Sequence, residues 1–185
     1  MSFSGRFYCV TGAAVMALEV TAGNYKAPRL EEVAEITFRV SRKSMDIVRL
    51  FESDGNLLVL HSWSGPSRDD SINNQLYRVD LDARETVPVR GLGGRAVFVG
   101  AVRTLPVSTG VFPSIQSNTV YLARQPLGEN RVVAFNLHDR RITERWDTMG
   151  DTQPSGIAEE LMWYVSGNGD LRDAVDEIST GQNQF

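Results

Sequence analysis

The sequence predicts an all-β chain, a partial β-propeller of about three to four blade-like antiparallel sheets with little helix. Three observations predict it. Strand signals are many and short, helical periodicity is scarce, and one two-strand pattern recurs along the chain. A two-layer sandwich would have similar strands but would not produce that recurrence.

The elements follow in order. Arg6 to Val10 is an apolar run rich in aromatic and β-branched residues, and Val15 to Val20 follows a gap containing Gly12. Arg29 to Ala34 has the spacing of one or two helical turns, and Glu35 to Val40 alternates through Ile36, Phe38 and Val40. Ile47 to Phe51 and Leu57 to His61 flank Ser53-Asp54-Gly55-Asn56, a strong hairpin turn. Further strands are read at Gln75 to Leu81, Thr86 to Val89, Ala96 to Val99, Thr119 to Ala123, Arg131 to Leu137 and Ile142 to Trp146. Ser155 to Met162 suits a short helix with Ser155 as N-cap and Glu159 and Glu160 in the first turn.

The recurrence joins these runs. Gly5-Arg6-Phe7-Tyr8-Cys9-Val10 aligns with Gly55-Asn56-Leu57-Leu58-Val59-Leu60 and with Ser117-Asn118-Thr119-Val120-Tyr121-Leu122. A second strand follows each, with Glu19, Asp80 or Asn136 near its end. Such an acid or amide side chain organises the next turn by bonding to its backbone. A fourth copy is read as starting at Trp163-Tyr164-Val165. We therefore expect residues 1–185 to form a single incomplete propeller-type domain. Its first blade would leave Phe7, Cys9 and Leu18 partly bare, and its last would expose Trp163 and Val165. Open sheet edges and bare faces invite self-association.

Composition narrows the function. The chain has 185 residues and a formal net charge of -4, with 42% hydrophobic and 23% charged residues. That excludes a disordered chain and argues against a general electrostatic grip on nucleic acid. From Asp147 onward the acids Asp147, Asp151, Glu159, Glu160, Asp170, Asp173, Asp176 and Glu177 face one base, Arg172, which marks residues 147–185 as an acidic end. Cys9 is the only cysteine, so no internal disulfide forms. No run of 18 apolar residues occurs, and no membrane partner is expected. We read an intracellular protein, cytoplasmic, nuclear or both.

Several segments together resemble a known family. They are Leu76-Tyr77-Arg78-Val79-Asp80-Leu81-Asp82, Val87-Pro88-Val89, and Leu92-Gly93-Gly94-Arg95-Ala96-Val97-Phe98-Val99-Gly100. Val111-Phe112-Pro113-Ser114-Ile115 and Asn118-Thr119-Val120-Tyr121-Leu122 complete the set. They resemble the plant KIB-type β-propeller domain, a domain of unknown function often found behind an F-box. The resemblance is strongest from residue 51 to 164 and looks like the C-terminal part of such a protein. It implies a substrate-recognition module of SCF-type ubiquitin ligases, here without the F-box, so that no direct binding to the SCF core is expected. The client protein is not legible. Two other readings stay open: a truncated family member without independent function, and an enzyme on a propeller scaffold.

Motifs for chemistry are weak. Gly91-Leu92-Gly93-Gly94-Arg95-Ala96 has dinucleotide-fingerprint spacing, but that fingerprint needs a helix next and Val97-Phe98-Val99 reads as a strand. The glycines instead suit a tight turn, from which Arg95 either pairs with an internal carboxylate or faces a partner. His61, His138 and Cys9 have no zinc-site spacing. Asp69-Asp70 lies in a polar loop rather than in a buried acid/base site. We expect no catalytic residue, no metal and no cofactor. Trp63, Arg68 and Arg95 are the candidate protein-contact residues, since Trp and Arg are enriched at interaction hot spots. For Trp63 the competing role is packing on its own sheet. Trp146 and Trp163 are expected in the core.

Overall fold

Two tight turns join the first two strands of each sheet in the N-terminal half. Ser4 and Gly5 have φ of 46° and 77°, and Asp54 and Gly55 have φ of 50° and 70°. Positive φ at both central residues is the two-residue hairpin geometry whose twist matches the flanking strands. The pairs that close these turns are Phe3 with Arg6 and Ser53 with Asn56. The computed structural model describes residues 1–19, 27–40, 46–64, 72–124, 131–147 and 156–167. It divides into two units, Met1–Gly91 and Leu92–Phe185.

The first unit holds two four-stranded antiparallel meanders. Blade 1 is β1 (Ser2–Phe3), β2 (Arg6–Val10), β3 (Ala14–Glu19) and β4 (Arg29–Glu35). Blade 2 is β5 (Ile47–Ser53), β6 (Asn56–Ser64), β7 (Ile72–Asp80) and β8 (Glu85–Val89). A single parallel bridge, Glu35 with Glu85, joins β4 to β8. The blades pack face to face. Tyr8, Val15, Ala17, Val33 and Ala34 of blade 1 meet Leu57, Val59 and Val79 of blade 2 in one core.

The second unit is a five-stranded sheet and one helix. Its strands are β9 (Arg95–Val99), β10 (Thr104–Ser108), β11 (Thr119–Arg124), β12 (Arg131–Asn136) and β13 (Arg141–Asp147), ordered β10-β9-β11-β12-β13. The helix α1 (Ile157–Val165) buries Leu161, Met162 and Val165 on the sheet face that carries Ala96, Phe98, Tyr121, Val132 and Ala134. Gly100 allows this docking. A Cβ there would lie 2.3 Å from the Val165 carbonyl carbon and oxygen. Arg103 and Val102 donate backbone N–H groups to the same carbonyl.

These are three blade-like sheets of a partial β-propeller, as the sequence predicts, with several differences. Arg29–Glu35 is a strand, not a helix. A bulge places Val15 opposite Ala34 and Met16 opposite Glu32, so Val33 is the extra residue and both Val33 and Ala34 turn inward. Residues 36–40 form no strand. Thr37 instead bonds to Thr86 through its N–H and its hydroxyl, and Ile36 is buried. β9 and β11 run parallel, where only antiparallel pairing was expected. The chain turns back through β10 and residues 109–118, a crossover long enough to realign β11 with β9. Trp163-Tyr164-Val165 begins no fourth blade. It lies in α1, where Val165 is fully buried and Trp163 half-buried. The N-cap of α1 is Gly156, without a side-chain cap bond, and Ser155 lies outside the described residues.

Candidate interaction surface

Two of the three aligned second strands form the turns expected of them. The Asp80 carboxylate accepts a hydrogen bond from the Ala83 N–H, which holds its pKa below the ordinary value, and Arg78 beside it acts in the same direction. The Asn136 side-chain oxygen accepts from the N–H groups of His138 and Asp139. Both turns end in an arginine with positive φ, Arg84 at 58° and Arg140 at 55°. Residues 20–26, which follow Glu19, lie outside the described residues.

Strand register sharpens the repeat. Phe7 stands opposite Leu18, Leu58 opposite Arg78, and Thr119 opposite Asn136. With Glu19, Asp80 and Asn136 level, Arg6, Asn56 and Thr119 are therefore equivalent. The sequence alignment of the third copy is off by one. It matched Asn118 with Asn56, but Asn118, with φ of 55°, takes the left-handed place of Gly5 and Gly55.

Trp63 ends a rigid aromatic row on blade 2. Its ring stacks on His61 at 4.7 Å, His61 stacks on Phe38 at 4.6 Å, and Phe38 stacks on Tyr77 at 4.3 Å. Alternation along β6 puts His61 and Trp63 on one face. His61 and the Asp46 carboxylate are buried, with Nε2 3.2 Å from Oδ2, so that an N–H on Nε2 donates to the carboxylate. Burial pushes the Tyr77 hydroxyl above its usual pKa. Trp63 itself is half-buried. Of the two roles weighed for Trp63, the packing on its own sheet is present in this stacking. Sequence reasoning missed Phe38 and Asp46 as its supports. The alternation at Ile36, Phe38 and Val40 was the available signal, although it was assigned to a strand.

Arg68 and the Asp69-Asp70 pair lie outside the described residues. Arg95 opens β9 opposite Ser108 and is half-buried, after the turn in which Gly93 has φ of 63°. The strand after this glycine turn is the one the sequence indicates. Trp63 and Arg95 belong to different units. Cys9 is exposed on blade 1, and His138 is exposed in the turn after β12. Among the described residues no group of three or more His, Cys, Asp or Glu side chains is arranged to hold a metal ion, and no helix is long and apolar enough to cross a membrane.

Residues 1–147 match the KIB1-4 beta-propeller family. No curated protein and no solved structure matches the chain.

Proposed function

The chain belongs to the KIB1-4 beta-propeller family, and on that premise we propose that it is a non-enzymatic protein-interaction module. One observation carries the reading: the Trp63 ring stacks on His61, which is itself stacked on Phe38, yet Trp63 is only half-buried. An aromatic anchor whose rotamer is already fixed loses little entropy on binding, which is how hot-spot residues gain affinity. The resemblance to F-box-associated propellers makes a protein client for ubiquitination the partner class, in the cytoplasm or nucleus. Ligase recruitment in that scheme belongs to the F-box and not to this domain. Nucleic acid and membranes are not partners in this reading.

The test compares affinity capture by the parent chain and by Trp63→Ala. We expect clients that the parent enriches to be lost by at least about tenfold with the variant, while its melting temperature stays within a few degrees, as for a partly exposed site. An unchanged client set would overturn the role of Trp63. A propeller-scaffold enzyme would instead show turnover of a small substrate that no client competes.

A further inference from the structure

The Trp63 row holds a titratable pair that a contact role for Trp63 does not use. The side chains of His61 and Asp46 are only 6% and 4% exposed, and Nε2 lies 3.2 Å from Oδ2. The imidazole also stacks on Phe38, with an interplanar angle of 18°, and on Trp63, with one of 25°. Imidazole is the side chain whose ordinary proton uptake falls between about pH 5 and 8. His61 therefore brings a switchable charge into direct contact with both a buried carboxylate and the Trp63 ring. The other ionisable groups around it leave that charge to Asp46. Tyr77 shares its face, and burial pushes the Tyr77 hydroxyl up, so it stays neutral in this range. Glu52 shares that face of β5 but is exposed and bonds to the Gly55 N–H. Arg49, Arg78 and Asp80 alternate onto the other face of blade 2, and Arg39, beside Phe38, is exposed. Blade 1 brings Tyr8 to the shared core, while its Arg6 pairs with Glu31. Among the described residues, Asp46 is thus the charged group placed to answer a proton on His61.

The two states of the pair hold Trp63 differently. With His61 neutral, the N–H on Nε2 donates one hydrogen bond to the Asp46 carboxylate. A second proton, on Nδ1, turns that bond into an ion pair, and bonds between charged partners are the strong ones. The cation then lies against an indole ring, the aromatic face that attracts cations best. Burial opposes the new charge, and the carboxylate beside it balances that cost. We propose that the His61–Asp46 pair is a pH-sensitive switch that tightens the Trp63 stack as pH falls. That partner binding tightens with it rests on the contact role proposed for Trp63. The switch itself does not.

Proton NMR and fluorescence of the whole chain read the switch. The sequence has two histidines, and His138, exposed in the second unit, is the internal reference. Trp63→Phe identifies the Trp63 indole N–H signal. Between about pH 8 and 5, the His61 ring protons and that indole N–H should shift together, with one midpoint. In a chain carrying Trp146→Phe and Trp163→Phe, Trp63 is the only tryptophan. Its quenching by acrylamide should fall at least about twofold over the same range, because a tighter stack opens less often. Asp46→Asn keeps an acceptor for Nε2–H but no charge to balance an imidazolium. In that chain the Trp63 signal should stay constant down to about pH 5 while His138 titrates as before. A Trp63 signal that stays constant in the parent while His138 titrates would overturn the proposal. So would quenching that rises as pH falls, or a response of equal size in Asp46→Asn. The stack is read without any partner, so such a failure leaves the contact role to be decided by the capture experiment with Trp63→Ala.

Discussion

The Met1–Gly91 and Leu92–Phe185 units bury a β-sheet face by different means. In the first unit one sheet covers another, and Tyr8, Val15 and Ala17 meet Leu57, Val59 and Val79. In the second a single helix does the same work on the equivalent face, with Leu161, Met162 and Val165 over Tyr121, Val132 and Ala134. The difference teaches that a repeated strand pattern fixes which residues share a face, but not what covers that face. Sheet-on-sheet contact needs only alternation in both partners. The helix needs a backbone concession, Gly100, so that its last turn can lie against the loop after β9. Among the described residues, the face of blade 1 that carries Phe7, Cys9, Met16 and Leu18 has neither cover.

The comparison breaks most visibly at equivalent positions. Leu57→Asp should cost more than about 4 kcal/mol and abolish folding, because it buries an unpaired charge between two sheets. Phe7→Asp, at the same place in blade 1, should stay within about 0.5 kcal/mol of the parent, as exposed substitutions do. Circular dichroism melting of both variants checks this pair, and similar losses would end the contrast.

Gly100→Ala tests the helical cover. The added methyl meets the Val165 carbonyl at 2.3 Å and Ser166 N at 2.7 Å, which are backbone atoms that cannot rotate away. We expect a loss of about 3 kcal/mol, the upper range for overpacking, read by thermal melting. Hydrogen exchange should place the loss in α1.

A smaller effect is expected at the turn after β12. Asn136→Ala leaves the His138 and Asp139 N–H groups without their acceptor and should cost about 1 kcal/mol. Denaturant melts resolve that size of change. The smallest effect is on pH dependence. Burial first, and the neighbouring Glu144, raise the pKa of Tyr121 above 10.0, against the lowering by the Gln116 N–H. A raised folded-state pKa gives stability that is complete below the unfolded pKa and is lost as pH rises through the folded one. The alkaline limb of the stability profile should therefore flatten in Tyr121→Phe, and an unchanged limb would show that Tyr121 titrates as in the unfolded chain.

Much of the fold is legible because alternation and turn residues are local. Asp54-Gly55 announces its hairpin, and Asp80 and Asn136 announce the turns that they bond. What escapes the sequence is set at a distance. The bulge opposite Val15 gives Leu30, Val33 and Ala34 a helix-like spacing inside a strand. β10 carries Pro106, which weakens its strand signal, yet β10 is an edge strand where a missing donor is tolerated. The parallel pairing of β9 with β11 depends on where residues 109–118 return the chain, and no local pattern encodes it. At the candidate surface the sequence offers Trp63 as a contact candidate. Its supports were not legible, because Asp46 and Phe38 reach His61 from outside β6 and β7.

Thiol reactivity at two equivalent positions tests the central claim, that equivalent blade faces are buried in blade 2 and open in blade 1, most directly. Cys9 and Val59 occupy the same place in successive blades. Alkylation of native Cys9 should run close to the rate of the unfolded chain. In a Cys9→Ser chain carrying Val59→Cys, it should run at least about a hundredfold slower, because reaction there requires opening of the core. Cys9 protected as strongly as the thiol at position 59 would contradict the account.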